Sequence, residues 1–479
     1  MKKSITKNYI YNLTYQILVL ILPLITTPYI SRVLGAENIG IYSYTLSISA
    51  YFVLFGSLGI SLYGQREIAY NQENKKKYTI AFYEIVILRF ITMAISMTIF
   101  YFVFVNGKQN QIYYKILLLE LIANSLDISW FFQGLEEFKK TVTRNTIIKL
   151  ISVICIFIFV KTKNDLVVYF IIYVLSILIG NLSLWLYLPK YVKIVPIKQL
   201  NIFKHFKPTM SLFIPQIAVQ VYTLLDRTMV GAIITDKSEV GYYDQGQKII
   251  KMLLTIVTPL GTVMLPRIAS TFANGKKEEI NTYMKKSFNM VFLIAFPVMF
   301  GIVAVSKSFV PVFFGPGYDK VAILIDVISP IILLIGLSNV TGTQYLLPTK
   351  RQEEYTTSVV CGAIVNLILN SCLIWKYGAI GASIGTVIAE LTVTGVQIFC
   401  TRKDFRWKEI IKMVFNYLVA SLIMFIICLF IGKIINNNLV SLMLQMIIGT
   451  CVYSGVLLIL KDSMVIELLN RVKKLVHLK

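Results

Sequence analysis

Apolar residues run along this chain in blocks of about twenty, each closed by charge or by a turn signal, and a block of that length matches the hydrocarbon core of a bilayer. Cut at those boundaries, the sequence predicts about fourteen helices. They fall over 9–32, 40–63, 79–105, 112–134, 142–161, 165–188, 207–235, 239–266, 284–306, 321–347, 355–376, 379–401, 410–433 and 439–460. The fold class is therefore an all-α polytopic membrane protein. Composition agrees, with 56% hydrophobic and only 15% charged residues over 479 positions, far from the balance of a soluble chain.

A formal charge of +23 would suggest a nucleic-acid partner in a soluble protein. Here its location decides its meaning. Lys2, Lys3 and Lys7, then Arg66 and Lys75 to Lys77, Lys139, Lys140 and Arg144 lie on one set of alternate loops. The 190–207 linker, the 267–286 loop, Lys350, Arg351, the 402–412 segment and the C-terminal tail continue that set. Basic loops stay inside, so both termini are expected in the cytoplasm and no nucleic acid is required. The N-terminal MKKSITKNYIYNLTYQILVLILPL has no small-residue cleavage site after it and reads as a retained span. The outer loops are short, the longest being SFVPVFFGPGYD between Lys307 and Lys320, and leave no room for a catalytic domain. Six cysteines in or beside apolar runs, with no C-x-x-C pair, and two histidines offer no metal site.

The chain repeats itself. ENIGIYSYTLSI (37–48) aligns with SEVGYYDQGQKI (238–249), matching Gly40 to Gly241 and Tyr42 to Tyr243, and LGISLYGQREIA (58–69) resembles LGTVMLPRIA (260–269). This predicts a six-helix bundle over 1–189, a basic linker over 190–206, a second six-helix bundle over 207–402, and two further helices with a basic tail over 403–479. Parallel repeats with a cavity between them are a transporter's architecture.

Polar residues recur at helical spacing within three of these spans. Asp244, Lys248, Lys251, Thr255, Thr258 and Thr262 fall at i, i+4, i+7, i+11, i+14 and i+18, a single face. Thr209, Gln216, Gln220, Thr223 and Arg227 repeat the spacing in the seventh span, and Ser383, Thr386, Glu390, Thr394 and Gln397 do so in the twelfth. Two lysines near mid-membrane cost on the order of 5–7 kcal/mol, more than the apolar residues of that helix comfortably return. The stripes are expected to line an aqueous cavity. Asp244 and Lys248 also have the i, i+4 spacing of a local ion pair at the interface. A net cationic cavity points to an anionic substrate, with Arg227, Lys248 and Lys251 as its ligands and Gln216, Gln220, Thr223, Asp244 and Thr255 as polar lining. Glu390 and Asp326 are the candidates for coupling to protons or sodium, and no cofactor is implied. The stretch GYYDQGQK (241–248) mimics a phosphate-binding loop, but Gln247 stands where that motif needs Lys.

The segments ITTPYISRVLGAENIGIYSYTLSISAYFVLFGSLGISLYGQREIA (25–69) and SWFFQGLEEFKK (129–140) resemble the Wzx-type oligosaccharide flippases. These belong to the superfamily that also holds MurJ and the MATE exporters. The resemblance implies a fourteen-helix protein that moves a polyprenyl-diphosphate-linked oligosaccharide across the bacterial plasma membrane, with polysaccharide polymerase or assembly machinery as neighbours. Trp130, Phe131 and Phe132 fit an interfacial aromatic belt. Two other readings stay open: an ion-coupled MATE-like exporter of amphipathic small molecules, and a membrane polysaccharide polymerase.

Overall fold

In a computed structural model, residues 5–106, 110–462 and 464–467 are described, except for the side chains of 5–17, 214–216, 218, 219, 221, 222, 260, 262 and 263. Every regular element among the described residues is helical, as the block pattern predicts. The first, α1 (Ile5–Ser57), runs through the RVLGAENIG stretch and breaks at Gly35, where φ is 78° and ψ 168°. Only glycine takes that backbone cheaply. The predicted turn is thus a kink inside one element. There follow α2 (Ile60–Tyr70), α3 (Lys75–Phe100), α4 (Gln111–Ser125), the short α5 (Ser129–Gly134), α6 (Phe138–Phe159) and α7 (Leu166–Trp185). Next come α8 (Phe206–Ile233), α9 (Ser238–Val257), α10 (Leu260–Ala273), α11 (Lys277–Phe313), α12 (Asp319–Ile328) and α13 (Ile331–Ser338). The chain closes with α14 (Gln352–Tyr377), α15 (Ala379–Cys400), α16 (Trp407–Ile434) and α17 (Asn438–Ile459). Eleven helical segments among the described residues are long and apolar enough to cross a bilayer, and the chain is a multi-pass membrane protein.

Packing separates two compact units, residues 1–231 with 236–241, and 232–235 with 242–479. In the first, Trp130, Phe131 and Phe132 are each 0% exposed and pack with Ile60, Tyr63, Phe82 and Ile85. The aromatic-belt expectation is therefore corrected: α5 packs against α2, and its rings fill a protein core. An aromatic run has the same sequence signature whether helices or lipid cover it.

The linker is anchored to the same unit by one buried carboxylate. Glu84 on α3 accepts hydrogen bonds from Lys204 Nζ (2.7 Å), His205 Nε2 (2.9 Å) and the Asn201 backbone N–H (2.7 Å). His205 Nδ1 and the Tyr63 hydroxyl close the network at 2.6 Å. Burial holds the His205 imidazole below its ordinary pKa, although the Glu84 carboxylate opposes that shift. Arg89 in turn is committed elsewhere. Its guanidinium donates to the Asn124 carbonyl at 2.7 and 3.1 Å and lies 3.7 Å from Asp127, not Glu84.

The repeat has a direct structural counterpart in this unit. A Cβ added to Gly40 would lie 1.7 Å from the Lys237 carbonyl oxygen, and one added to Gly241 would lie 2.1 Å from the Ala36 carbonyl oxygen. Residues 36 and 40 thus meet 237 and 241 reciprocally, in the register that the two aligned segments give. Backbones approach this closely only where both helices lack a side chain.

In the second unit, α11, α16 and α17 are held by buried polar bonds. The Tyr417 hydroxyl bridges Asn289 (2.7 Å) and Asp462 (3.1 Å), and Gln445 Nε2 donates to the Cys428 carbonyl at 2.9 Å. Where the surroundings are apolar, such bonds fix how helices associate.

Candidate functional site

The phosphate-loop mimic is settled by the backbone. Gly241 and Gly246 both lie inside α9, where the amides of 242–248 are turned into helical hydrogen bonds and no loop exists to wrap a phosphate. The polar face of α9 instead changes character along its length. Asp244 is 1% exposed and accepts from Lys248 Nζ at 2.9 Å, with the Lys248 side chain 37% exposed. The i, i+4 pair foreseen as one alternative is therefore formed. Lys251 and Thr255, further along the same face, are exposed, and the Thr255 hydroxyl returns to the Met252 carbonyl at 2.6 Å. The adjoining face packs inside its unit, with the Tyr243 hydroxyl 3.1 Å from Thr386 of α15 and 2.7 Å from Gln247 Nε2.

On α8, Gln220 and Thr223 are exposed and Arg227 is half-buried, while its chain neighbour Asp226 is buried. The Thr223 hydroxyl bonds the Gln220 carbonyl at 2.9 Å. The Gln216 side chain lies outside the described residues. Arg227 belongs to the first unit, and Lys248 and Lys251 to the second. The structure joins Lys248 to Asp244 as an ion pair.

The twelfth-span stripe does not form an open surface. Ser383, Thr386, Thr394 and Gln397 of α15 are all buried. Gln397 donates to Ser358 of α14 (3.0 Å) and accepts from Thr341 (2.7 Å), and Thr394 donates to the Leu334 carbonyl of α13 (3.0 Å). Helical spacing alone does not separate polar residues that face water from those that join helices, and these join helices. Glu390, on the same helix, is half-buried. Asp326 on α12 is half-buried beside the Ser306 hydroxyl and the Lys307 ammonium of α11.

One intramembrane carboxyl was missed by the spacing argument. Glu120, in the run ILLLELIANS of α4, is 5% exposed and receives hydrogen bonds from the hydroxyls of Ser49 on α1 (2.7 Å) and Tyr173 on α7 (3.0 Å). Its signal was present as a lone acid inside an apolar span. It carries no stripe with it, so a search for stripes passes over it.

Long apolar helices with polar bonds buried between them define a multi-pass integral membrane protein. The chain belongs to the polysaccharide biosynthesis protein family, whose profile matches residues 5–272; the profile of the lipid II flippase MurJ family matches residues 147–450. It is 26% identical to a putative O-antigen transporter of Escherichia coli (strain K12) over 408 residues, covering 84% of this chain and 98% of the relative. The inward closed conformation of lipid II flippase MurJ shares its fold at a TM-score of 0.75 and 17% identity, over 95% of this chain and 100% of that one. An inward-facing multidrug resistance MATE family transporter of the MOP superfamily follows at 0.62 and 12%, over 82% of this chain and 95% of that one. The resemblance drawn from the RVLGAENIG and WFFQG segments to Wzx-type members of this superfamily is borne out.

Proposed function

We propose that the protein is a non-enzymatic flippase that moves a polyprenyl-diphosphate-linked oligosaccharide from the inner to the outer leaflet of the bacterial plasma membrane by alternating access. The product would serve assembly of a capsule, O-antigen or wall polysaccharide. The observation that carries the reading is the pair of family matches, which between them run from residue 5 to residue 450. Chemistry supports it: a diphosphate is held by fixed cations, and Lys251 is exposed on α9 beside the polar Thr255. A sugar chain asks for hydroxyl and amide partners, which Gln220 and Thr223 supply on α8, while the polyprenyl tail stays in lipid. An exporter of cationic drugs would want carboxylates where α9 carries Lys248 and Lys251.

Fourteen spans complete the reading. The eleven apolar segments become twelve when α1 is divided at Gly35, and α8 and the α9–α10 pair make fourteen. An even count with its basic loops on one side supports the reading that both termini are cytoplasmic. The test is a pair of variants: Lys251→Gln and Arg227→Gln should insert at wild-type levels yet leave lipid-linked oligosaccharide on the inner leaflet of a strain that lacks its own flippase. Wild-type export by both would remove the diphosphate role from these residues.

A further inference from the structure

Glu120 makes no ion pair among the described residues; its two oxygens are each met by a neutral hydroxyl, from Ser49 and from Tyr173. Ser49 is 0% exposed, so the carboxyl is shut in from the α1 side. On the other side stand tyrosines. The Tyr42 ring on α1, just past the Gly35 break, lies 4.7 Å from that of Tyr169 and 5.8 Å from that of Tyr173. Tyr169 sits in the first turn of α7. A cluster of tyrosine rings therefore lies between the start of α7 and the enclosed carboxyl.

Two arginines on the surrounding helices are engaged elsewhere. Arg89 of α3 is bound to the Asn124 carbonyl and Asp127. Arg144 of α6 is bound to the Gly180 carbonyl and to Asn181 of α7, whose own amide donates to the Ala123 carbonyl. Tyr114, the other titratable group buried on α4, faces Phe100 and Phe104. An ionised carboxylate closed off from water with no cation is costly, whereas a carboxylic acid satisfied by hydroxyls is not.

From this placement we infer that Glu120 is a proton-binding site whose loading is tied to closure of α1, α4 and α7 around it. A proton from water adds to one carboxylate oxygen while the pocket is wet, the bundle closes on the neutral acid, and the proton returns to water when the pocket next opens. The use of that proton to drive transport rests on the flippase reading; the binding itself does not.

Infrared difference spectra of the full-length protein in phospholipid vesicles at neutral pH test the binding. Wild type should show the carbonyl stretch of a protonated carboxyl that is lost in Glu120→Gln and displaced in Tyr173→Phe and Ser49→Ala, which each remove one hydrogen bond. Spectra of wild type and Glu120→Gln that superimpose from acid to neutral pH would overturn the inference. Coupling is read with a pH-sensitive dye inside the vesicles: adding lipid-linked oligosaccharide should move protons with wild type and not with Glu120→Gln, and equal movement with both would overturn the coupling. If wild type moves no oligosaccharide at all, the flippase reading fails while the infrared result still decides whether Glu120 holds a proton.

Discussion

Asp244 and Lys251 lie on one face of α9 and have opposite settings, the first sealed in protein and the second open. Asp244 accepts the Lys248 ammonium, so the charge of Lys248 is largely answered within its own helix. Lys251, less than a turn further on, carries its charge on the accessible side. The spacing of the three residues was legible in the sequence; that Lys248 closes on Asp244 was not settled by it, because that depends on how deeply Asp244 sinks against its neighbours. Removing the ammonium takes a cation from a buried carboxylate, a change that costs more than removing both members of the pair. Lys248→Gln should therefore lower the thermal unfolding midpoint in detergent by more than the double variant Asp244→Asn, Lys248→Gln. Equal losses would show that the pair does not act as a unit. Glu120 shows where spacing arguments stop, since a single acid has no period, and only the fold reveals that Ser49 and Tyr173 converge on it.

Among the elements, the repeated glycines set the register in which residues 36–40 meet 237–241, but the spans 9–32 and 40–63 do not foresee the single kinked α1 or the contact itself. Their depth of contact makes a sharp prediction. Gly40→Ala places a methyl 1.7 Å from a carbonyl oxygen and should abolish accumulation of folded protein, while Gly455→Ala in α17, where nothing lies within 4 Å, should leave it unchanged or slightly raised. Similar yields of the two variants, compared by fluorescence-detected size exclusion, would contradict the close approach. The aromatic segment at 130–132 was misread because hydrophobicity does not distinguish burial in lipid from burial in protein. Its corrected position implies that Trp130→Ala costs about 3–5 kcal/mol, the range for truncating a fully buried large aromatic residue. A belt residue would cost far less in the same unfolding assay.

The linker network was invisible in sequence because Glu84 and its partners at 201–205 are distant along the chain. Burial depresses the His205 pKa, so the folded state binds this proton less readily than the unfolded state does. Its contribution to stability is therefore complete above the ordinary histidine value of about 6.5 and is lost as pH falls below it. Hydrogen-exchange protection of the amides at 201–206 should weaken across that window, and a His205→Gln variant should lose this pH dependence. Protection that is flat with pH in the wild type would contradict the assignment.

At the scale of the whole molecule, hydropathy carried the class of protein, and the RVLGAENIG and WFFQG segments carried its relation to the MurJ and MATE folds. Packing divides the chain differently from the repeat, because α8 up to residue 231 clusters with the first unit; Thr228 donates to the Ser47 hydroxyl at 3.0 Å, and Lys237 donates to the Gly231 carbonyl at 2.5 Å. Such contacts are side-chain events that no hydropathy profile contains. The α9 helix falls outside the eleven apolar segments, and its charged residues are the reason. A helix that gives up apolar character in a membrane is expected to face water or substrate, and α9 holds Lys248 and Lys251.

The most direct measurement uses the purified full-length protein in sealed vesicles, with a fluorescent polyprenyl-diphosphate oligosaccharide in both leaflets and a membrane-impermeant quencher outside. Transport between leaflets should let the quencher reach nearly all of the labelled lipid with wild type, and only the outer half with Lys251→Gln, Arg227→Gln or empty vesicles. Quenching that stops at half for the wild type, under conditions where the same vesicles accumulate a small amphipathic cation, would contradict the flippase and favour the exporter.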